Sequence, residues 1–530
     1  MNSHVPGIRG MHLSDHDLRQ LDEAALANLT PEQARALLSK AIEDLKRARE
    51  RLAQNPTNSS RPPSTRAPWE QSEAQKPKAP VASTQSAEEK PGAESESEQK
   101  EPQKSSEGEG AEKPAGRPGR RKGAPGHSRT QQLPIDAEQP HAPHCCAICG
   151  EPLDASHQGR PHNAHYVLDL VPPAGGGSGL VVRQTKHIYC ETLCRCGHWS
   201  RALPGRCDQD ASWSVKLSEC HLAGPTLVAF ICALTQRMRL SRAKVREFLS
   251  DWLGLSLSTA LINQCVHEAA RAVEPVVEQE ILTTVRNVEL AYADETSWKE
   301  HGKLLWLWVF TCATATLFIV GRRTREMVQQ VLGEGFHGWL MSDGYWAYRE
   351  LDQRLRCLPH IIRKARALEE GFDAEGRALG RHLLDVIATV MQAVYQARGA
   401  PPHGGLRKRH APMLEALLQH CLRLADCPHD KARALARELL NDWDTFWVVL
   451  DHPNLPLSNN EAERALRHWV IARRIGMGTR TEQGTRAFAL LASVIETCRK
   501  RNVSPWPYLA EVIGQRRKGL PAPPLPAPAT

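Results

Sequence analysis

The chain has 530 residues, a formal charge of +8 and a hydrophobic fraction of 41%. That length exceeds one ordinary domain of about 100–200 residues, and the composition excludes a collagenous or disulfide-scaffold protein. The mild basicity permits nucleic acid as a partner without requiring it. With 15 cysteines and no apolar leader after Met1, free thiols in a reducing cytoplasm are expected. Residues 304–320 carry no charge, but the run is short for a membrane span and threonines interrupt it, so two strands and no membrane are expected. Trp69 is the only aromatic before Tyr166, so a large core must lie after it.

Residues 13–54 read as an amino-terminal helical segment. Thr30-Pro31-Glu32-Gln33 starts the helix, with Thr30 and Gln33 as a capping box. Leu38, Ile42, Leu45, Arg49 and Leu52 then form a short seam, either a coiled coil or a face packed on its own protein. Residues 55–140 read as a disordered linker of mixed charge, ending near a basic arm from Arg117 to Gly123. Residues 141–207 gather cysteines.

Residues 220–280 read as short helices around Gly254. They suit a helix-turn-helix that binds DNA, or plain helical hairpins. From 286 to 500 the pattern becomes α+β. Strands are expected at 288–293, 304–312 and Thr316–Gly321, a helix at Arg325–Leu332, and a strand at 338–342. Three antiparallel strands, a helix and a further strand is the order of a ribonuclease-H-like core. A helical insertion spans about 361–450. Residues 501–530 supply a last helix and a Pro-rich tail at 521–528. The fold class is therefore multidomain α+β, with a mixed, ribonuclease-H-like sheet as its core.

Two constellations carry chemistry. Cys146-x-x-Cys149-Gly150 is followed by Cys190, Cys194 and Cys196-Gly197. Paired thiolates suit tetrahedral zinc, with a glycine permitting each knuckle. The expected ligands of a structural Zn²⁺ are Cys146, Cys149, Cys194 and Cys196, with Cys190 as a rival for the tight second pair. The other constellation is acidic. Asp294 and Asp343 are placed at the ends of neighbouring strands, where they can share a hard cation. A third carboxylate on a later helix would complete a two-metal site for phosphoryl displacement. Glu461 and Glu463 compete for it, each compatible with a capping box from Ser458 or Asn460. Glu295 should face the opposite side of its strand.

Cys357 and His360 form a Cys-x-x-His step before Arg363 and Lys364. They read either as a core cysteine and a helix-start histidine or as a device placing DNA near the metals. Arg464, Arg467, Arg473 and Arg474 flank Trp469, Val470 and Ile471. They offer a phosphate track or a solvated face.

Several motifs occur together and in order. They are Asn58-Ser59-Ser60-Arg61-Pro62-Pro63-Ser64, Gly123-Ala124-Pro125-Gly126-His127 and the paired cysteines. Then come Tyr292-Ala293-Asp294-Glu295-Thr296, Ser342-Asp343-Gly344-Tyr345 and Cys357-Leu358-Pro359-His360. Last is Asn459-Asn460-Glu461-Ala462-Glu463-Arg464-Ala465-Leu466-Arg467. Over nearly its whole length the chain resembles transposases of the insertion-sequence-66 family.

The resemblance implies a DDE catalytic domain using Mg²⁺ or Mn²⁺, with Asp294, Asp343 and Glu463 as its carboxylates. Glu463 is chosen by the family pattern Asn-Asn-x-Ala-Glu-Arg-Ala, with Glu461 second. It further implies binding of terminal inverted repeats and target DNA, strand cleavage and transfer, and a homo-oligomer at the nucleoid in the cytoplasm. Accessory proteins from the same element are implied too. Two departures stand out: Cys194-x-Cys196 where the family usually has Cys-x-x-Cys, and Ala124 where it usually has Gln. The competing readings are a catalytically retired DNA-binding protein and a nuclease without strand transfer.

Overall fold

The computed structural model describes residues 29–52, 54, 135–173, 177–207, 212–399 and 405–529. Most of the predicted linker, its basic arm and the motifs at 58–64 and 123–127 lie outside the described residues. Helix α1 (Pro31–Leu52) opens with the expected box. The Thr30 N–H donates to Gln33 Oε1 at 3.0 Å, and the Gln33 N–H donates to Thr30 Oγ1 at 3.3 Å. Leu37 is buried, whereas Leu38, Ile42, Leu45 and Leu52 are exposed. Glu50, near the helix end, pairs with Lys431.

The cysteine-bearing region is a small sheet of β1 (Ala137–His141), β2 (Gly159–Val171), β3 (Val181–Leu193) and β4 (Trp199–Arg201). β2 and β4 pair antiparallel with β3, and β1 pairs parallel with it. The linker was expected to run to residue 140, yet 137–140 are strand. β1 is polar and contains Pro140, which gives no apolar alternation. It survives as an edge strand, where proline is tolerated, tacked down by the Gln184 N–H on Asp136 Oδ2 at 2.7 Å.

A two-strand pair, β5 (Arg206–Cys207) and β6 (Leu217–Ser218), leads into α2 (Pro225–Cys232), α3 (Arg242–Leu253), α4 (Thr259–Val276) and α5 (Leu282–Arg286). Ser241 and Ser258 cap α3 and α4, and Gly254 ends α3 in the left-handed region at φ 63°.

The second sheet contains β7 (Leu290–Glu300), β8 (Lys303–Thr311), β9 (Thr316–Gly321), β10 (Trp339–Ser342) and β11 (Arg354–Arg356), with α6 (Arg325–Leu332) between β9 and β10. Its order is β11-β10-β7-β8-β9. β7, β8 and β9 form an antiparallel meander, while β10 runs parallel to β7 and β11 parallel to β10. This mixed sheet with flanking helices is consistent with a ribonuclease-H-like core. The uncharged run at 304–320 is β8 and β9, and no helix among the described residues is long and apolar enough to cross a membrane.

The helical insertion comprises α7 (Leu358–Glu369), α8 (Ala374–Gly399), α9 (Leu406–Leu424), α10 (Asp430–Asn441) and α11 (Trp443–Trp447). They pack around Leu379, Leu383, Leu417, Leu435 and Trp447. Arg356 at the end of β11 anchors the insertion, pairing with Asp442 and, at 2.5 Å, with Glu438. Three helices close the chain: α12 (Asn460–Gly476), α13 (Glu482–Lys500) and α14 (Pro505–Arg517).

α13 covers the open edge of β9. The Phe318 N–H donates to Ser493 Oγ at 2.8 Å and the Thr316 N–H to Thr497 Oγ1 at 3.0 Å, so hydroxyls replace a missing strand. α4 packs against α2, α13 and α14, and Arg517 of α14 holds its Glu268 through bonds of 2.7 and 2.8 Å. The helices expected at 220–280 are present, but α4 buries Ile262, Ala269, Ala270 and Val273 in that packing. It therefore presents little surface to a DNA groove. The expected Pro-rich tail is also packed. Arg501 Nη1 donates to the Pro526 carbonyl at 2.9 Å, Tyr508 Oη donates to the Pro523 carbonyl at 2.9 Å, and Leu525 is buried.

Candidate active site and metal centres

Two short loops bring the four cysteines together. After Cys146, the Gly150 N–H returns to the Cys146 carbonyl at 3.0 Å. After Cys194, the Gly197 N–H returns to the Cys194 carbonyl at 2.9 Å. Gly150 and Gly197 have φ of 75° and 84°, a region open to residues without a Cβ. The second loop closes one residue sooner, which is how Cys-x-Cys does the work of Cys-x-x-Cys. The Sγ atoms of Cys146, Cys149, Cys194 and Cys196 all lie within 4.8 Å of one another. Cys146 is 3.6 Å from Cys196, and Cys149 is 3.5 Å from Cys194. Cys190 lies on β3 and is not in the group.

The Cys149 and Ile148 N–H groups pull the Cys146 thiol down to about 5. Cys194 accepts the Cys196 N–H, yet burial and its neighbouring sulfurs push it up to about 12. Four crowded sulfurs that cannot all ionise alone suit a soft or borderline cation.

The acidic constellation is assembled over long distances. β10 pairs with β7 through Met341 opposite Tyr292, and two more residues along that register put Asp343 level with Asp294. Neighbouring strands lie about 4.8 Å apart. Asp294 was placed at a strand end, but β7 continues to Glu300, so it sits mid-strand at the level where β10 stops. A Cβ on Gly344 would come within 2.6 Å of Arg356 Nη2 and 2.8 Å of Glu438 Oε1, so those side-chain ends would have to shift. The Tyr345 N–H then folds back to Asp343 Oδ1 at 2.9 Å. Glu295 faces the other way, as expected from strand alternation. Arg323 Nη2 donates to Glu295 Oε1 at 2.6 Å and Tyr348 Oη to Oε2 at 2.7 Å.

The start of α12, which carries both candidate third carboxylates, is held by a clasp that motif reading missed. Asn459 is buried, and its Nδ2 donates to the Ala293 carbonyl, next to Asp294, at 2.8 Å. Its backbone N–H donates to Cys357 Sγ at 3.2 Å. The Cys357 N–H in turn donates to the Ser342 carbonyl, next to Asp343, at 3.1 Å. One asparagine and one cysteine thus tie the start of α12 and the start of α7 to both aspartate strands. Two asparagines before a helix look like caps, and nothing in their spacing shows that one side chain is committed elsewhere.

Neither expected capping box forms. Asn459 is the N-cap without a side-chain capping bond. Glu461 is 3.0 Å from Lys500 Nζ and 3.3 Å from Arg464 Nη1. Glu463 faces the other way, its Oε1 3.9 Å from His360 Nδ1. Cys357 caps the start of α7, and His360 lies in its first turn.

Electrostatics link the groups. Burial, then the charges of Asp343 and Glu295, push the Asp294 carboxyl well above the usual carboxylate range, and Glu463 adds to this. Burial raises Glu463, against the pull of Arg363 and Arg467. Burial lowers His360 to about 4, helped by Arg363, so its imidazole is neutral. Burial pushes the Cys357 thiol up to about 12. Oxygen donors from Asp294 and Asp343, with Glu463 in the same field, fit a hard divalent cation. Among the described residues, however, the Glu463 oxygen groups within 4.8 Å with Cys357 and His360, not with the aspartates.

The arginines of α12 divide. Arg464, Arg467 and Arg474 are exposed. Arg473 is tied down: Nη1 donates to Thr296 Oγ1 at 2.7 Å and Ser297 Oγ at 3.0 Å, fastening α12 to β7. Trp469 is fully buried against Phe318 and Phe488, so it belongs to the core.

Comparison with known proteins bears on this site. A protein of Sinorhizobium fredii (strain NBRC 101917 / NGR234), uncharacterized protein y4jD, is 27% identical over 217 residues, 38% of this chain and 42% of the relative. Uncharacterized protein y4jO of the same strain is 26% identical over 174 residues, 32% of this chain and 47% of the relative. The matched part thus spans about half the length of these curated relatives or less. Residues 221–487 match the family described as Transposase IS66 family, a span that holds the second sheet, the insertion, Asp294, Asp343 and Glu463. The chain belongs to the IS66 transposase family.

Proposed function

We propose that this protein is a DDE-type transposase that cuts DNA at the ends of an insertion sequence and joins the freed ends to target DNA. The observation that carries the reading is the level placement of Asp294 and Asp343 on parallel neighbours, with Glu463 brought into their field by the Asn459 clasp. Bound there, a pair of Mg²⁺ or Mn²⁺ ions would stabilise the attacking and leaving oxygens of an in-line displacement at phosphorus. Asp294 and Asp343 would hold the cations through carboxylate oxygens, and Glu463 would complete the set. Arg467, exposed on the same helix as Glu463, together with Arg464 and Arg474, would bind DNA phosphates. Arg473, whose Nη1 is bonded to β7, would lie beside that track.

In cleavage, water attacks one phosphodiester at the element boundary, forming a new P–O bond and leaving a 5′-phosphate and a 3′-hydroxyl. Transfer makes a new ester between that hydroxyl and a target phosphate, releasing a target 3′-hydroxyl. The four-cysteine region, holding Zn²⁺, and the exposed parts of the 220–280 helices would contact the terminal repeats. Paired-end chemistry calls for at least two copies, and the exposed seam of α1 is the surface for that assembly. Products of neighbouring reading frames are the expected accessory partners, at the nucleoid in the cytoplasm.

The test is metal-dependent nicking of a labelled duplex that carries the element's own end, with Asp343→Asn beside the wild type. Losing a metal ligand worth several kcal/mol should lower the rate by about 10³-fold. Equal rates in the two proteins would sink the carboxylate assignment. Nicking without joined products would favour the nuclease reading instead.

A further inference from the structure

Glu463 sits beside two groups that have no place in an all-oxygen site. His360 Nδ1 is buried and has no hydrogen-bond partner. It faces Glu463 Oε1 across 3.9 Å, too long for a hydrogen bond. With metal–ligand bonds of about 2.0–2.2 Å, nitrogen and oxygen on one tetrahedral zinc lie about 3.4 Å apart. The observed gap is therefore close to one that a metal spans. Cys357 Sγ completes the group, with all three ligand atoms within 4.8 Å of one another. Donors also converge on that sulfur, against the burial that raises its thiol. Cys357 stands at the N-terminus of α7, its sulfur accepts the Asn459 N–H at 3.2 Å, and the His360 N–H points to it as well.

We propose that Cys357, His360 and Glu463 form a second transition-metal site, separate from the four-cysteine centre, in which Zn²⁺ draws Glu463 away from the aspartates. A sulfur, a nitrogen and one carboxylate suit Zn²⁺ and not Mg²⁺, which prefers oxygen donors. Three protein ligands leave a fourth position for water. The site shares a ligand with the proposed catalytic set, so zinc acts there as a reversible antagonist of the Mg²⁺-dependent reaction. That consequence rests on the assignment of Glu463 made above; the metal site itself does not.

The experiment uses the full chain, stripped of metal and titrated with Zn²⁺ and, for its spectrum, Co²⁺. The wild type should take up two equivalents, one per ligand group. His360→Ala and Cys357→Ser should each take up one, with binding to the lost site weakened by more than about tenfold. The equivalent they retain should show a thiolate-rich cobalt spectrum from the four cysteines, which also verifies folding. His360→Ala carries the test if Cys357→Ser does not fold. A wild type that binds only the four-cysteine equivalent, or a His360→Ala protein that still binds two, overturns the site.

Nicking is then measured in Mg²⁺ with and without Zn²⁺, each protein compared with itself. Zinc should slow the wild type at least about tenfold more than it slows His360→Ala. Equal sensitivity, with the second equivalent present, overturns the antagonism. If the wild type does not nick under any metal, the catalytic reading fails, while the metal count still decides the site.

Discussion

The four cysteines and the three carboxylates are both candidate ligand sets, built over different distances. Each cysteine pair is set by one short loop that hydrogen-bonds to itself, and a single strand-and-turn region joins the two loops. The carboxylates come from β7, from the end of β10 and from α12, and the insertion separates the last two. The approach of α12 to the two aspartate strands depends on a chain of long-range bonds through Asn459, Cys357 and Ser342. Crowded thiols can be neutralised by a shared metal, so their closeness suits a metal centre. Crowded carboxylates repel, and burial followed by that repulsion holds the Asp294 carboxyl above the usual range.

Cys146→Ser should produce the largest change. Structural zinc sites of this kind contribute of order 10 kcal/mol of apparent folding free energy. Bound zinc should fall, and β1–β4 should lose protection in hydrogen exchange while β7–β9 keep theirs. Uniform loss across both sheets would show that the cysteine region is not a separate cooperative unit.

Asn459→Ala comes next. It leaves the buried Ala293 carbonyl without its donor, a cost of about 1–3 kcal/mol. The expected result is a lower midpoint in urea and slower nicking, with affinity for DNA unchanged. Unchanged stability and rate would mean that the clasp does not position α12.

Asp294→Asn should lower activity and raise stability. The folded pKa of Asp294 lies above its unfolded value. The cost of ionising it is therefore absent below the unfolded pKa, near ~3.9, and grows as pH rises through the folded pKa. In divalent-free buffer at neutral pH, the variant should melt about 2–4 °C higher than the wild type. The two curves should converge on acidification toward pH ~4. A lower melting point at neutral pH would show that Asp294 is not under the repulsion described.

The smallest effect concerns α1. Ile42→Asp, on the exposed seam, should change monomer stability by less than about 0.5 kcal/mol. It should nevertheless shift the mass in solution toward a single chain. An unaltered mass distribution would assign the seam no part in self-association.

What could be read directly was local. Thr30 and Gln33 cap α1, and β9 and α6 have the bounds their patterns predict. Each is decided by neighbours a few residues away, through hydrogen bonds or periodicity. The Pro-rich end failed as a tail because its partners, Arg501 and Tyr508, are chosen by packing and not by composition. The strand at 137–140 was missed because an edge strand needs one bonded side and little apolar surface.

By itself the sequence determined which residues were available: two cysteine loops with glycines after them, two aspartates at strand positions and two glutamates in one helical turn. It also determined the alternation that sends Glu295 away from Asp294. Only the tertiary structure gave Glu461 and Glu463 different surroundings, because both fit the same helix start and what faces each side is set by packing. Lys500 faces one, and His360 with Cys357 faces the other. Spacing along a chain sets direction within an element, whereas the partner across the gap is set by how the elements pack.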